Sequence, residues 1–594
     1  MQTFQTMQGL NQLWTREQLL ATLRALLLLL SIATLVWTLR MVHYASVGHI
    51  YGQIPDLTMF TPWLRLYAQS RKGIELPVLF AALLSLCLGV WVCSRYFSTR
   101  LKQAFHSLPS LLLGNFLALF AIVFFLFPGK EHSVSTFFHW ELHPSLLGFS
   151  LFIAFSLIPY GRKYSYPLIG FLIVVICTLI STSPFSLYNY SYIIEPAMRA
   201  LAGQSLSEVV SQYDVLLPLS ISPFIAQHWD LNQYKVLLQI ANTIFNVWMF
   251  YALYKVVRKE VFLFAVILFI LAKYHLNLSD ATKVPQVSFL RLEIWLPLYV
   301  LVRRYGLVSI APVLYLLVMI VLSKTFATIF AGMYLGYLVL RKLSGSQELS
   351  WKRIMTISLI LVSVAVLAQL FFSNARLSDY LRFQISFWPL GTQSFFWVVA
   401  PLLIFCAGLI FSQKGEETNN YNANGLLIFL CCGALVYFLG RSHENNLLNI
   451  SSILIFTLAI ALNYLSHEMK LLVPVLSLIS AFFVTDVATE VKLKLDSFAQ
   501  NGLNPHMPFA AGDFSALQSA PNFPAFFDGK SLYCFPNSSL ELYFYHYQLG
   551  NYKKLPIQQF RTCSTILYMQ DLQSYARELE TNGYQLQVIN SPEF

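Results

Sequence analysis

Long apolar blocks recur along this chain of 594 residues, and they constrain its fold more than any other feature. Two of them are Leu19 to Trp37 and Ile354 to Phe372. A helix needs about 20 predominantly apolar residues to cross the hydrocarbon core of a bilayer. Hydrophobic residues make up 57% of the chain and charged residues only 11%, whereas soluble domains carry about 25% charged residues. The sequence therefore predicts an all-α polytopic transmembrane protein.

The blocks predict about 13–15 transmembrane helices. Arg16 and Glu17 precede the first block, Arg24 lies near its start, and the block lacks a small-residue cleavage site, so we expect it to stay in the protein as a helix. The weakest candidates are 293–302 and 325–340. The full set of candidate spans is 19–42, 76–96, 108–128, 144–158, 165–183, 236–256, 260–274, 293–302, 306–322, 325–340, 353–372, 395–413, 425–440, 447–465 and 471–488.

The basic residues predict how these helices are oriented. With the N-terminus in the cytoplasm, the inner side receives short basic turns such as Arg162-Lys163, Arg303-Arg304 and Arg341-Lys342. Short cytoplasmic loops rich in Lys and Arg are typical of membrane proteins. The net charge of +11 is thus an orientation signal, and no nucleic-acid partner is expected. We expect a multi-pass protein of the cell (inner) membrane, in contact with membrane lipid, with a cytoplasmic N-terminus and an extracytoplasmic C-terminus.

Irregular sequence lies mainly on the predicted outer side, and it divides the chain into two domains. Residues 1–488 form a predicted transmembrane domain with functional outer loops, notably 184–235. Residues 489–594 form a predicted small soluble extracytoplasmic α/β domain, whose many aromatic side chains either fill its core or stack on sugar rings. The elements expected in the tail are a linker over 499–530, strands over 539–547, 564–569 and 584–589, and a helix over 571–581.

Cysteine usage supports this division of the chain. Cys534 and Cys563 lie in the tail, and the other six cysteines lie in or beside apolar spans, where cysteine behaves as a small hydrophobic residue. Two cysteines alone in an exported domain predict one disulfide, the alternative being two free thiols. The sequence contains no spacing typical of a zinc site and no glycine loop typical of nucleotide binding.

The long outer loop from Tyr188 to Phe224 has the most informative sequence, YNYSYIIEPAMRALAGQSLSEVVSQYDVLLPLSISPF. It predicts a short amphipathic helix over 193–201, a turn at Gly203 and a return to the membrane near Leu216. The loop resembles the first outer loop of bacterial membrane glycosyltransferases of the GT-C class, where a helix along the membrane precedes a glycine turn and a QYG-like element. The matching pieces are Glu195-Pro196, Ala202-Gly203-Gln204 and Ser211-Gln212-Tyr213-Asp214.

The resemblance implies a GT-C-like fold and a specific type of reaction. Enzymes of this class take a sugar from a polyprenyl-phosphate carrier and transfer it, outside the cytoplasm, to a glycan, lipid or protein acceptor. Two further pieces are similar to the class, Phe289-Leu290-Arg291 and the turn Arg441-Ser442-His443-Glu444-Asn445-Asn446. Arg offers a forked set of donors that matches phosphate oxygens. The residues expected to bind the donor phosphate are Arg441, His443, Asn446 and Arg291.

Other interpretations of these donor-binding residues stay open. The turn at 441–446 is also typical of an ordinary polar connection between two hairpin helices. Arg291 at the start of a span is also typical of a side chain that snorkels to the lipid headgroups.

The position of the catalytic carboxylate departs from the class pattern. The class usually has an acidic residue at the start of this loop, acting as base for the acceptor hydroxyl or as a metal ligand. Here that place reads Ser186-Leu187-Tyr188-Asn189-Tyr190, while Asp214 stands where glycine is common. We expect Glu195 and Asp214 to be the catalytic pair because both lie in the matching loop, with Asp56 in reserve. A solvated loop charge is the alternative for each, and a divalent metal ion stays open as a cofactor.

Two other functions compete with glycosyl transfer. A transporter or flippase for lipid-linked saccharides is expected to show internal repeats and charged or broken helices at mid-membrane. The sequence has no evident repeat, and its ionisable residues cluster at the ends of the spans, which favours the enzyme. A glycan ligase or polymerase shares the long outer loop and the basic phosphate contacts, so the sequence does not separate it from a glycosyltransferase.

Overall fold

The structure is a computed structural model, and it describes the helical region from Pro159 onwards together with short parts of the tail. The described residues are 159–182, 193, 194, 196, 197, 200, 201, 203, 214–227, 231–277, 284–371, 395–413, 417–440, 444–468, 472–503, 531–534, 573, 576, 577, 580, 581 and 585–588. The candidate spans before residue 159 lie outside this set.

Helices account for nearly all of the described chain. The α-helices are α1 (Pro159–Leu179), α2 (Leu216–Ala226), α3 (Leu231–Tyr254), α4 (Lys259–Ile270), α5 (Phe289–Leu292), α6 (Trp295–Tyr305), α7 (Ile310–Leu322), α8 (Lys324–Leu343), α9 (Trp351–Phe371), α10 (Phe396–Ser412), α11 (Thr418–Gly440), α12 (Glu444–Asn449), α13 (Ser451–Glu468) and α14 (Leu472–Asn501). A π-helical turn (Leu271–His275) follows α4, and a 3₁₀ turn (Pro285–Val287) precedes α5.

Four helices in the described part are long and apolar enough to cross a bilayer. Their apolar stretches are Gln233–Tyr254, Lys324–Leu343, Trp351–Ala368 and Thr418–Phe438. The prediction of an all-α membrane protein is confirmed at this level. The weak candidate spans 293–302 and 325–340 are both helical, as α6 and α8.

Small residues let α8 and α11 approach each other closely. A Cβ added at Gly433 would lie 3.0 Å from Met333 Cγ and 3.1 Å from Ile329 Cγ2, and one at Gly425 would lie 2.8 Å from Tyr337 Cζ. Lipid tails are as apolar as leucine, so membrane helices associate through this kind of close packing at small residues. Both α8 and α11 belong to a buried core to which α4, α6, α10 and α13 also contribute.

Basic side chains gather at one end of the bundle, which we call the basic end and define by Arg258, Arg303, Arg341 and Arg353. These residues join the ends of neighbouring helices. Arg258 Nη1 donates to Ser466 O (2.9 Å), Arg303 Nε donates to Asn420 Oδ1 (2.9 Å), Arg353 Nη2 donates to Val308 O (2.8 Å), and the Arg341 guanidinium lies 4.9 Å from the Tyr421 ring. Their location at one end agrees with the clustering that the sequence predicts.

The last helix is longer than its candidate span. The apolar stretch predicts 471–488, whereas α14 continues to Asn501, beyond the predicted domain boundary at 488. Glu490 and Lys494 form an ion pair one turn apart (3.7 Å), and Lys494 Nζ also donates to Thr182 Oγ1 at the end of α1 (3.3 Å). Beyond the apolar sequence, the helix is therefore stabilised by charged side chains that contact each other and the end of α1.

The described parts of the tail include two short strands. Strands β1 (Ser531–Cys534) and β2 (Gln585–Val588) pair in parallel, with Ser531 opposite Gln585 and Cys534 opposite Val588. β2 lies within the strand predicted over 584–589. The described residues of the predicted helix 571–581 are helical, whereas the strands predicted over 539–547 and 564–569, and Cys563, lie outside the described residues.

Candidate functional site

Asp214 lies in the loop before α2 and binds the first turn of α8. Its backbone is in the left-handed region, with a φ of 63°. Its Oδ1 accepts hydrogen bonds from the Thr325 backbone N–H (3.1 Å) and from Thr325 Oγ1 (2.9 Å), and Oδ2 lies 3.5 Å from Ser323 Oγ. The first N–H groups of a helix have no partner within the helix, and a carboxylate there also interacts favourably with the helix dipole. The loop residue Asp214 thus caps a helix that lies far away in the sequence.

Two cations act on the Asp214 carboxylate. Burial raises the pKa of Asp214 above its ordinary value, and the Arg291 charge, the hydrogen bonds from Thr325 and the Lys324 charge act in the opposite direction. Desolvation disfavours the charged form of a carboxyl group, whereas nearby cations favour it. The carboxyl group is therefore more readily protonated than an ordinary aspartate while it lies among positive charges.

Arg291 is buried, with 2% of its surface exposed. Its guanidinium carbon lies 5.3 Å from the centroid of the Phe326 ring and 5.2 Å from that of Tyr437. Nη1 donates to Gln286 O at 3.1 Å. The guanidinium is thus held by two cation–π contacts and a hydrogen bond to the backbone, and cation–π contacts are stronger in such a desolvated setting. The side chain therefore points into the bundle, contrary to the snorkelling alternative.

Asn446 joins the same group of residues through Tyr437. Tyr437 Oη, near the end of α11, donates to Asn446 Oδ1 on α12 at 3.1 Å. The ring of Tyr437 also makes the cation–π contact with the Arg291 guanidinium. We call the set formed by Asp214, Arg291, Lys324, Thr325, Tyr437 and Asn446 the Asp214 cluster.

The Asp214 cluster lies at the end of the bundle opposite the basic end. It is built at the start of α8, the end of α11 and the start of α12, whereas Arg303 and Arg341 close α6 and α8 at their other ends. Three of the residues predicted for the site, Asp214, Arg291 and Asn446, are brought together here from distant parts of the sequence.

The other predicted site residues lie outside the described residues. They are Glu195, Arg441, His443 and Cys563, together with the side chain of Cys534. Around Glu195, the described residues Ile193, Ile194, Pro196 and Ala197 are helical, and Gly203 has a φ of 87°. The short helix and the glycine turn predicted for this loop are thus confirmed where the structure describes them.

Three members of the Asp214 cluster were not predicted from the sequence. Lys324 and Thr325 belong to the short polar connection Ser323-Lys324-Thr325 between two apolar helices, and Tyr437 lies near the end of an apolar helix. One signal was present for Lys324, because a lysine in a very short outer turn goes against the charge bias of such loops. Nothing in the sequence distinguishes Tyr437 from the other 31 tyrosines.

Among the described residues, those that act on Asp214 do not suit a divalent metal ion. Calcium and magnesium require several oxygen ligands, mostly from carboxylates. The charged groups that act on Asp214 are Arg291 and Lys324, and Thr325 occupies one carboxylate oxygen with two hydrogen bonds. Within the described residues, no group of three or more His, Cys, Asp or Glu side chains comes together. The cluster is a better match for an anion.

Comparisons with known proteins gave no relative. A scan against protein-family models found no match to this chain, and comparisons with curated proteins and with solved structures found no significant similarity. The likeness to the GT-C class therefore remains a prediction from short motifs, and the function has to be argued from the residues themselves.

Proposed function

We propose that this protein is an integral membrane glycosyltransferase that transfers a sugar from a polyprenyl-phosphate carrier to a glycan, lipid or protein acceptor. In this proposal the Asp214 cluster faces the extracytoplasmic side of the inner membrane and the basic end faces the cytoplasm. In the same proposal the tail beyond α14 forms a small extracytoplasmic α/β domain.

One observation carries the proposal: a buried, titratable carboxylate and two cations meet at one end of an apolar helical bundle. Arg291 and Lys324 both act on Asp214, and the Arg291 guanidinium lies beside two aromatic rings that contact each other. A lipid-linked donor brings its phosphate to the membrane surface, where desolvated cations bind it strongly. A charge-assisted contact of this kind contributes about 1.5–3 kcal/mol.

Each group has a defined part in the proposed reaction. Arg291, Lys324 and Asn446, with Arg441 and His443 of the turn predicted over 441–446, bind the phosphate of the donor. Asp214 accepts the proton of the acceptor hydroxyl, whose oxygen forms the new bond to the anomeric carbon. The bond from that carbon to the phosphate oxygen breaks, and polyprenyl phosphate leaves with the electron pair.

The environment of Asp214 suits a general base. A base works best when its pKa lies near the working pH, and burial raises the pKa of Asp214 towards that range. Glu195 lies in the same loop and is the second candidate for this role. The neighbouring cations would also stabilise the negative charge that develops on the departing phosphate.

The decisive experiment follows the sugar in nanodiscs that contain the purified protein and a labelled polyprenyl-phosphate sugar. A transferase forms a labelled acceptor product, a flippase moves the lipid without changing it, and a ligase or polymerase requires a donor that carries a whole glycan. Asp214→Asn or Glu195→Gln should lower turnover by about 10²–10⁴-fold, depending on which is the base. Arg441→Ala and His443→Ala should weaken donor use by roughly ten- to a hundredfold.

A matched control is Arg304→Ala, which removes an arginine at the basic end whose guanidinium lies 5.3 Å from the exposed Tyr305 ring. It should leave transfer unchanged. If Asp214→Asn and Glu195→Gln both keep full activity, neither carboxylate is the base. If the wild-type protein consumes no lipid-linked sugar at all, the proposal is wrong.

A further inference from the structure

A second buried charge pair lies close to the Asp214 cluster. Lys273 Nζ, on the π-helical turn, is 3.3 Å from Glu293 Oε1, at the junction of α5 and α6. The other Glu293 oxygen accepts a hydrogen bond from Trp295 Nε1 at 2.6 Å, and Oε1 also accepts one from Ser452 Oγ on α13. The carboxylate is therefore satisfied from three separate elements.

Lys273 extends this network to α12. Its Nζ also donates to the backbone carbonyl of Asn449, and Asn277 Nδ2 donates to Asn449 Oδ1 at 2.8 Å. Asn449 is the last residue of α12, the helix that carries Asn446. Lys273 lies on the π-helical turn and Asn277 two residues after it, so one short segment makes both contacts with Asn449.

The same ion pair thus fixes two elements of the Asp214 cluster. Glu293 directly follows α5, a helix of four residues that carries Arg291, and Lys273 anchors the end of α12, which carries Asn446. Such a short helix has few contacts of its own, so its position depends on what holds its ends. Removing either charge leaves the other buried without its partner, which is far more costly than losing an exposed pair.

We propose that Lys273 and Glu293 are positioning residues that set the geometry of the donor-phosphate site by fixing the positions of Arg291 and Asn446 relative to each other. This inference rests on the proposed function for the identity of the ligand. The pair does not contact the ligand, and it acts through the two short helices that it holds together.

The test uses the full-length protein in nanodiscs with polyprenyl phosphate alone as the probe. Glu293→Gln and Lys273→Met should each weaken binding by roughly tenfold, the usual size of an effect transmitted through one buried contact. With a sugar donor, the apparent KM should rise while kcat at saturating donor changes little. Arg303→Gln, which removes a polar contact at the basic end, is the matched control and should bind as the wild type does.

A second measurement does not depend on enzymatic activity. Hydrogen exchange in Glu293→Gln should rise both over 285–296 and over 444–449, because one ion pair holds both segments. The double variant Lys273→Met with Glu293→Gln should bind better than the product of the two single effects predicts, since it removes both buried charges together.

The outcomes separate the inference from the proposed function. If the wild type and Arg291→Ala both fail to bind polyprenyl phosphate, the proposed function falls and the inference falls with it. If the wild type binds and Arg291→Ala binds weakly, but Glu293→Gln binds like the wild type, the positioning role alone is wrong. Exchange that rises over 285–296 and not over 444–449 also contradicts it.

Discussion

The guanidinium carbon of Arg291 lies 5.2 Å from the centroid of the Tyr437 ring, and the hydroxyl of that tyrosine donates to Asn446. One aromatic side chain therefore links the residues of two separate sequence motifs, one before α6 and one after α11. The guanidinium combines this cation–π contact with a hydrogen bond from Nη1 to Gln286 O.

The first prediction concerns Arg291→Lys. Lysine keeps the charge but loses the planar stack and the forked donors, so we expect polyprenyl-phosphate binding to fall by roughly tenfold, close to the loss in Arg291→Ala. Binding to the protein in nanodiscs measures this. Arg304→Lys, at an exposed ring of the basic end, should change nothing. Full binding by Arg291→Lys would mean that only the charge matters.

The second prediction concerns the pH dependence of transfer. A base acts in its deprotonated form, so activity should fall as the pH drops through the pKa of Asp214, which burial raises above its ordinary value of about 4. The acidic limb of kcat/KM should therefore lie above pH 4 in the wild type. Asp214→Asn should remove this limb together with most of the turnover.

The raised pKa of Asp214 also affects how the stability of the protein depends on pH. Because the folded-state pKa of Asp214 is raised, protonation favours the folded state, and this group contributes more stability as the pH falls through that pKa. Thermal unfolding of Asp214→Asn should consequently depend less on pH in the acidic range than that of the wild type. If the acidic limb of kcat/KM persists unchanged in Asp214→Asn, a group other than Asp214 produces that limb.

The sequence predicted the helices better than their ends. The weak spans that became α6 and α8 were found because apolar residues still dominate them. The extension of α14 to Asn501 was missed because Glu490 and Lys494 interrupt the apolar pattern. Their charges are accommodated by a mutual ion pair and by Thr182, a contact between distant segments that no local pattern contains.

The sequence predicted only part of the site, because the rest also depends on contacts between distant segments. Asp214, Arg291 and Asn446 were predicted because they lie in short motifs that resemble those of the GT-C class. Lys324 and Tyr437 become part of the site only through the packing of α8 and α11 around Arg291, which the sequence does not specify locally. Motifs therefore identified members of the cluster, while packing decided which side chains complete it.

The third prediction concerns the tail. We expect Cys534, at the end of β1, and Cys563 to be bonded in the exported protein. The closed loop of about 28 residues would stabilise the tail by roughly 3 kcal/mol in the chain-entropy description. Mass spectrometry of unreduced tail peptides measures this directly. If both thiols react with an alkylating reagent before reduction, there is no disulfide.

The fourth prediction concerns topology. Basic residues gather at one end of the bundle, and short basic loops face the cytoplasm in membrane proteins. Alkaline phosphatase fused after Phe594 should therefore be active, because it folds only outside the cytoplasm. The same reporter fused after Ser346, in the turn between α8 and α9, should be inactive. The reverse pattern would place the Asp214 cluster in the cytoplasm and remove the proposed function.

The last prediction tests the close contact between α8 and α11. In Gly425→Ala the new methyl group would lie 2.8 Å from Tyr337 Cζ and collide with the tyrosine hydroxyl, so we expect a loss of about 1–3 kcal/mol in unfolding free energy. Gly332→Ala, on α8 itself, meets nothing within 4 Å and should be neutral or stabilise the helix by up to about 1 kcal/mol. The Tyr337 hydroxyl forms no hydrogen bond within the described structure, so adding Tyr337→Phe to Gly425→Ala should recover part of the loss. Unfolding in mixed detergent measures all three variants, and equal stability of Gly425→Ala and Gly332→Ala would show that the helices are farther apart.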